Sequence, residues 1–499
     1  MAINLDNVQG NILGSFNKDF QDFLFLKVKD PAKARKWVRV NSAELISTSR
    51  QVLAFNNAFK ALLAEGVPKP ESIISARWAN IAFSFKGLQA LGFSSADFGT
   101  LPPAFTAGMS ARKTAIGDVG TSDPQHWHAP FNPAHLPDIH AILLVAADSD
   151  ADLNQHVATL TGSAGFSAGF QLVGTVHGRT RVDDMGHEHF GFKDGVSQPG
   201  IRGINTPDDP LANPDQGHPG QDLLWAGEFV LGYPKQIPTA KAGHDGPNPD
   251  PGPVSAAGTP AWTNDGSFLV FRRLEQDVPA FHAQLGALAA ANHLSVDVMG
   301  AKLVGRYKSG CPIETLSMQG AATPLSPTDP GLSNPALANS DALNNAFEFG
   351  DDAAGARCPL SAHIRKAYPR DEDTGFGADS ESETQTHRLL RRGIPFGASF
   401  GAAVGGGVAD KRGLCFLAYQ NDIATHFEFV QNTWVNSKSF PPVAGQPGHV
   451  PGDDPIIAQS GSGPFELTPG QPNITVSHFV TTTGGEYFFA PSLATLGAF

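Results

Sequence analysis

The sequence predicts an α+β protein built from two domains of similar architecture, each with an antiparallel sheet. Three observations support this prediction. The first half of the chain reads as strands and helices in the order β-α-β-β-α-β, most of that order recurs in the second half, and a long stretch rich in proline and glycine separates the two. This order is typical of the ferredoxin-like fold. We therefore expect one domain over residues 1–245 and another over residues 246–499.

The first half contains four apolar segments that are expected to form strands, namely residues 23–28, 81–85, 140–145 and 170–176. Residues 31–65 carry apolar side chains at helical spacing, and further helices are expected around 88–91 and over 151–160. Residues 100–137 are rich in Pro, His and Gly, and we expect them to form a long excursion on the surface.

The second half repeats this pattern with one gap. Strands are expected at residues 267–271, 414–419 and 486–489, and helices over residues 278–291 and 423–434. The missing second strand must lie in the irregular region between residues 300 and 410. Residues 235–261 separate the two halves, because proline and glycine interrupt every apolar pattern there.

The composition narrows the possible partners. The chain has 35 Lys and Arg against 48 Asp and Glu, a formal net charge of -13, so neither nucleic acid nor an anionic membrane is expected to bind. No apolar run reaches the length of a transmembrane helix. The first residues lack a basic region followed by an apolar one, which predicts a cytoplasmic protein, although a secreted chain without its signal would look the same.

Three segments carry side chains suited to chemistry. Asp194 stands between Gly191 and Gly195, whose small size lets the backbone approach a flat group, although an Asx turn would use the same residues. His363 lies in a basic, partly apolar segment, which suits an axial ligand of haem and equally a core histidine. Arg391 is followed by a second arginine and a Gly-Ile-Pro turn, so one of the two guanidinium groups could point inward.

Together these segments resemble the dye-decolorizing peroxidases, over most of the chain. The matching stretches follow the family's order and are 8–13 (VQGNIL), 191–199 (GFKDGVSQP), 227–234 (GEFVLGYP), 266–272 (GSFLVFR), 362–366 (AHIRK), 391–397 (RRGIPFG) and 454–457 (DPII). The Gly-x-x-Asp-Gly acid is the most specific of them. The resemblance implies a haem peroxidase that reduces hydrogen peroxide and oxidises dyes, phenols or other aromatic donors in one-electron steps. It also implies one haem b per chain, bound between the sheet and helices of the C-terminal domain.

The resemblance assigns three residues to the reaction itself. Asp194 would be the acid–base residue on the distal side of the haem, and His363 would be the proximal ligand of the iron. Arg391 would be the distal arginine. It is preferred to Arg392 because it stands five positions before the aromatic residue of the Gly-Ile-Pro-aromatic turn.

Four further residues would surround the haem. Leu414 and Phe416 alternate on one predicted strand and would form the apolar roof of the distal pocket. Asp454 would accept a hydrogen bond from His363, and Arg365 would meet a haem propionate.

The chain departs from the family pattern at two places. Many fungal relatives carry a tyrosine in the Gly-Ile-Pro turn that passes electrons to bulky dyes, whereas this chain has Phe396. Other aromatic residues could take that role, namely Trp127, Trp225, Trp434 and Tyr419. The loop over residues 311–356 is long and rich in breakers, so we expect it to reshape access to the haem.

Three other interpretations remain open at this point. A chlorite-dismutase-like enzyme would share the fold, but that family lacks the Gly-x-x-Asp-Gly acid. A haem carrier would bind haem without turnover, and a two-domain binding protein would bind none. The peroxidase interpretation implies hydrogen peroxide and small aromatic reductants as partners, and no nucleic acid or membrane.

Overall fold

The computed structural model describes residues 2–68, 70–133, 138–244, 246–255, 258–318, 325–375 and 380–499. The main sheet contains nine strands in the described residues, one of which is the short strand Leu390–Arg391. We label the other eight in chain order: β1 (Phe20–Val28), β2 (Trp78–Phe83), β3 (Ala141–Ala147), β4 (Phe170–Arg179), β5 (Ser267–Gln276), β6 (Ile394–Phe396), β7 (Gly413–Gln420) and β8 (Val480–Ala490). Two further two-stranded sheets pair Gly200–Ile201 with Leu223–Leu224 and Ser462–Phe465 with Ile474–Ser477.

The helices that we label are α1 (Pro31–Leu45), α2 (Ser49–Ala64), α3 (Asp150–Gly162), α4 (Val278–Ala291), α5 (Val296–Val304) and α6 (His363–Ala367). Two π-helical segments follow, Ala424–Glu428 and Val430–Val435. Short helices lie at Gly10–Leu13, Phe85–Ala90, Ser95–Phe98, Pro103–Ala107, Lys113–Ile116, Phe166–Gly169, Ile313–Met318, Pro330–Ser333, Ala336–Asn339, Asp341–Asn344, Ser380–Thr384 and Leu493–Gly497. In the described ranges, none of the helices has both the length and the apolar character needed to cross a membrane.

Each half of the chain contributes one antiparallel sheet of the same topology. The strand orders are β4-β1-β3-β2 in the first half and β8-β5-β7-β6 in the second. Both orders correspond to the β-α-β-β-α-β arrangement, so the predicted fold class is confirmed. The strand that the sequence left unplaced is β6, which lies inside the predicted interval. It has three residues, one of them Pro395, and is therefore too short to show an apolar alternation.

The two sheets also join at both edges, which the sequence did not predict. β2 pairs with β8 through Phe83 and Phe489, and β4 pairs with β6 through Gly178 and Phe396. The eight strands therefore close into one barrel, and a single hydrophobic core contains residues from both halves. Gly178 is required at its joint because a Cβ atom there would collide with Ile394. The domain boundary at residue 245, which is itself outside the described residues, stays a prediction.

Two local expectations were wrong. Residues 31–65 form two helices, because Thr48 caps the second one through a capping box with Gln51 and so ends the helical run. Residues 100–133 are not a surface excursion, since Phe105, Met109 and Ile116 are fully buried in the core. The apolar residues of this stretch pack in the core, but prolines and glycines separate them, so the sequence shows no periodic apolar pattern that would have indicated their burial. Residues 134–137 of that stretch lie outside the described residues.

Candidate active site

A cavity of about 280 Å³ lies beside the sheet of the second half, between β5, β7, helix α6 and the π-helical segments. Most of its lining is apolar, but Asp194, Arg391 and His363 all reach it. The structure therefore brings together the three side chains to which the sequence assigned the reaction, although they are far apart in the chain.

Asp194 is held in a tight loop that has no regular secondary structure. Gly191 and Gly195 have φ angles of +93° and +72°, values that favour glycine. The buried carboxylate of Glu188 accepts hydrogen bonds from the backbone N–H groups of Phe190 (2.8 Å) and Phe192 (2.8 Å) and so fixes the start of the loop. These contacts leave the Asp194 carboxylate at the cavity wall, where it accepts a short bond from the N–H of Gly195 at 2.6 Å.

Arg391 ends the short strand Leu390–Arg391, which pairs with β7. Its Nη1 lies 3.5 Å from Oδ1 of Asp194, and its Nη2 donates to the carbonyl oxygen of Ser197 at 2.8 Å. Arg392 points the other way and donates to the carbonyl oxygens of Asn11 and Ile12. The alternation of a strand thus places Arg391, and not Arg392, in the cavity.

His363 is the first residue of α6, and its ring Nδ1 donates to Oδ2 of Asp454 at 2.8 Å. The other oxygen of Asp454 accepts the N–H groups of Ile456 (2.7 Å) and Ile457 (3.0 Å). This predicted hydrogen bond fixes the tautomer of the ring and leaves Nε2 as the nitrogen that could bind a metal.

The His363–Asp454 pair also shifts the pKa of each partner. Burial alone would lower the pKa of His363, but the charge and hydrogen bond of Asp454 raise it above the ordinary value. Burial alone would raise the pKa of Asp454, but His363 and the two backbone N–H groups lower it overall. Asp454 therefore remains a carboxylate, which makes the imidazole a stronger electron donor.

Another histidine in the cavity wall, His387, has no free ring nitrogen. Its Nδ1 lies 2.5 Å from the carbonyl oxygen of Thr425 and its Nε2 lies 2.7 Å from Oε1 of Glu383. Of these two cavity histidines, only His363 has a nitrogen available as a ligand.

Leu414 and Phe416 both line the cavity, as predicted for the roof. On the neighbouring strand β5 their partners in register are Leu274 and Arg272, which line it as well. The outward faces of two adjacent strands therefore form one wall of the cavity.

The expectation that Arg365 meets a propionate is wrong in this structure. Arg365 is fully buried away from the cavity and binds Glu372, Asp352 and the carbonyl oxygen of Cys358. It lies two positions after His363, so the two side chains project about 200° apart around α6. Because His363 faces the cavity, the geometry of the helix places the Arg365 side chain on the opposite side, inside the protein.

Two arginines that sequence reasoning missed take its place at the cavity. Arg306 donates to the carbonyl oxygens of Gly310 and Asn344, and Arg370 donates to the carbonyl oxygen of Phe347 and to the Asn345 side chain. Both arginines are buried, and their hydrogen-bond partners among the described residues are neutral, although Arg370 also interacts electrostatically with Glu348 and Glu381. Burial lowers the pKa of Arg306 to about 9. A buried cation that hydrogen-bonds only neutral groups would be stabilised by an anionic ligand.

The loop over residues 311–356 supplies most of these acceptors. Its part from residue 325 onward holds Arg306 and Arg370 in place, and Asn339 accepts a hydrogen bond from Lys193 beside Asp194. Residues 319–324 of this loop lie outside the described residues. The sequence showed that the segment containing Arg370 is basic, but no pattern indicated that Arg370 rather than Arg365 would line the cavity.

Comparison with known proteins identifies the family of this chain. A model of the DyP dimeric alpha+beta barrel domain matches residues 7–182, and a model of the C-terminal part of Dyp-type peroxidases matches residues 247–440. The chain belongs to the dye-decolorizing peroxidase family. A dye-decolorizing peroxidase from Auricularia auricula-judae is 31% identical over 99% of this chain and 87% of its own length. A multifunctional dye peroxidase from an Amycolatopsis species is 30% identical over 99% of this chain and 96% of its own.

Solved structures of dye-decolorizing peroxidases share the fold over the whole chain. An ancestral D-type enzyme has a TM-score of 0.78 at 33% identity and covers 99% of both chains. A variant of the enzyme from Pleurotus ostreatus has a TM-score of 0.80 at 31% identity and covers 100% of this chain and 99% of its own. This protein is thus a dye-decolorizing peroxidase, an enzyme of a haem-dependent family that acts on dyes.

Proposed function

We propose that the cavity binds one haem b, with His363 as the proximal ligand of the iron and with Asp194 and Arg391 as the residues that act on hydrogen peroxide. One observation carries this proposal: a single cavity is lined by a carboxylate-bound imidazole and by an aspartate–arginine pair. When bound, the haem supplies the metal centre for peroxide and the means of oxidising organic donors.

The lining residues fit that cofactor. The apolar wall of Leu274, Leu414 and Phe416 suits the porphyrin faces. Among the described residues, Arg306 and Arg370 have no hydrogen bond to a carboxylate, so the two propionates would supply charge-assisted hydrogen bonds to them.

The Asp194 carboxylate would act first as a base and then as an acid. It takes a proton from hydrogen peroxide and returns it to the oxygen that leaves as water. Arg391 is held at 2.8 Å by Ser197 and would stabilise the negative charge that develops on the leaving oxygen. On the proximal side, Asp454 keeps the proton on Nδ1 of His363 and thus reserves Nε2 for the iron.

Small aromatic donors are the proposed reductants. The side chains of Asp194 and Arg391 are 40% and 35% exposed, so a molecule that enters the cavity can reach them. A dye-decolorizing peroxidase that covers 99% of this chain, at 31% identity, has been solved in complex with 2,6-dimethoxyphenol. A phenol of that size is a suitable first substrate to test.

The decisive test is the absorption spectrum of the haem-loaded protein before and after one equivalent of hydrogen peroxide. We expect a Soret band that falls and shifts, and that recovers when 2,6-dimethoxyphenol is added. A Soret band that does not respond to peroxide would leave a haem carrier. The absence of a band after hemin is added would contradict haem binding altogether.

A further inference from the structure

Two oxidisable aromatic side chains line the cavity. Among the tyrosines and tryptophans of the described residues, Tyr368 and Trp434 reach the cavity wall. The other sequence candidates, Trp127, Trp225 and Tyr419, do not line it. Phe396, which occupies the turn where many relatives carry tyrosine, does not line it either.

Tyr368 has a proton acceptor in contact with its hydroxyl group. The phenol O–H donates to Oδ2 of Asp222 at 2.8 Å, and Gln385 Nε2 donates to the same oxygen at 2.9 Å. Trp434 differs, because its indole N–H has no hydrogen-bond partner within the described residues. Of the two cavity residues, only Tyr368 could lose a proton to a neighbour as it loses an electron.

The charges around the Tyr368 ring favour loss of the proton together with the electron. The guanidinium of Arg388 lies 3.7 Å above the ring and that of Arg370 lies 5.2 Å from it. Two cations beside the ring oppose a ring that becomes positively charged, so an oxidised Tyr368 would be stable only as a neutral radical. Arg388 also lies 3.4 Å from Asp222, which keeps the acceptor beside the phenol.

In the resting protein Tyr368 holds its proton. Burial raises the pKa of Tyr368 well above its ordinary value, and the charge of Asp222 acts in the same direction, although Arg388 opposes it. The phenol is therefore a neutral donor that is already hydrogen-bonded to its base.

We propose that Tyr368 is a redox-active residue of this peroxidase and that Asp222 is its proton acceptor. The phenol O–H bond breaks, one electron passes to the haem site after reaction with peroxide, and the proton converts the Asp222 carboxylate to a carboxylic acid. An aromatic reductant then returns one electron, and Asp222 returns the proton, so that the O–H bond forms again. This step rests on the proposed function, because the reaction with peroxide supplies the oxidant.

Electron paramagnetic resonance on haem-loaded protein, frozen rapidly after one equivalent of hydrogen peroxide, tests the proposal. We expect a tyrosyl signal in the wild type and its loss in Tyr368→Phe, which keeps the ring and removes the hydroxyl group. Tyr307→Phe is the matched control, because that hydroxyl group is bonded to the carbonyl oxygen of Ser326 and lies outside the cavity wall. The control should keep the signal.

Asp222→Asn separates the proton acceptor from the phenol. We expect the tyrosyl signal to form about 10²-fold more slowly or worse, since the base is lost while the phenol remains. Because Gln385 and Arg388 also bind Asp222, this variant could misfold, and Tyr368→Phe then decides alone.

The outcomes separate this proposal from the proposed function. If the Soret band responds to peroxide but Tyr368→Phe keeps the tyrosyl signal, the role of Tyr368 is contradicted and the peroxidase site stands. A wild-type signal of tryptophan type that disappears in Trp434→Phe would contradict it as well. If the wild-type Soret band does not respond at all, the proposed function fails and the role of Tyr368 fails with it.

Discussion

The cavity has two groups of functional residues that differ in how firmly they are held. His363 and Asp454 meet at 2.8 Å, and the Asp454 side chain is fully buried and bound to two backbone N–H groups. Asp194 and Arg391 approach only to 3.5 Å, and each is more than a third exposed. The first pair is held by hydrogen bonds to a buried carboxylate, and the second pair is held more loosely and is more exposed.

This difference matches the two tasks of a peroxidase. A metal ligand must keep one tautomer and one orientation through every cycle, and a buried carboxylate partner provides both. An acid–base pair must admit peroxide, exchange protons and release water, which requires space between its members. We therefore expect changes in the first pair to affect haem binding, and changes in the second pair to affect the reaction with peroxide.

The largest expected effect is that of His363→Ala. Without the imidazole the iron loses its proximal ligand, so most haem should be lost on gel filtration and the Soret band should weaken or shift. His387→Ala is the control, because His387 lines the same cavity but uses both ring nitrogens elsewhere. Equal haem loss in the two variants would contradict the assignment of His363.

Asp194→Asn should leave haem binding intact and slow the reaction. Loss of a positioned acid–base residue typically costs about 10²- to 10⁴-fold, and stopped-flow absorbance after mixing with peroxide measures it. Asp184→Asn is a matched control, since Asp184 is 38% exposed in the same region but pairs with His187 outside the cavity. A normal rate in Asp194→Asn would exclude the acid–base role.

Arg391→Leu should slow the same step by about 10²- to 10³-fold, the usual cost of losing a donor to a developing negative charge. Arg392→Leu should instead lower the melting temperature, because the carbonyl oxygens of Asn11 and Ile12 would lose the donor that binds them. If Arg392→Leu slowed the peroxide reaction more than Arg391→Leu, the choice between the two arginines would be reversed.

The sequence predicted some features of this molecule better than others, for physical reasons. Long apolar runs identified β5, β7 and β8, because a strand that is buried on both faces is apolar along most of its length and can be recognised from its own residues. The barrel closes through one residue pair at each joint, Phe83–Phe489 and Gly178–Phe396. The apolar pattern of a strand shows which of its faces is buried, but it does not show which strand pairs with its edge, so the closure could not be predicted.

The site followed the same rule. Sequence motifs placed Asp194, Arg391 and His363 at the cavity. They did not predict that Arg306 and Arg370 line it, because that depends on the direction in which each arginine side chain points. Arg370 has a φ of +58° and leaves the direction of α6, which no sequence pattern indicated. Arg365 was chosen because it is near His363 in the chain, but a separation of two residues places it on the other side of a helix.

Asp454→Asn is the mildest of these changes and the sharpest test of the firmly held pair. An asparagine offers one acceptor oxygen where Asp454 uses two, so it must give up either His363 or the N–H groups of Ile456 and Ile457. Changing such a partner of a metal ligand typically costs about 10- to 100-fold in metal affinity. The rate of haem transfer to a scavenging protein should therefore rise.

Asp453→Asn is the control for that experiment, because Asp453 is also buried but binds Ser460 and not His363. If both variants released haem equally fast, general loosening of the segment would explain the effect. If Asp454→Asn kept haem as well as the wild type and slowed only the peroxide reaction, the carboxylate would tune the iron rather than hold its ligand. The division of tasks between the two pairs would then be wrong, because the firmly held pair would contribute to the reaction itself.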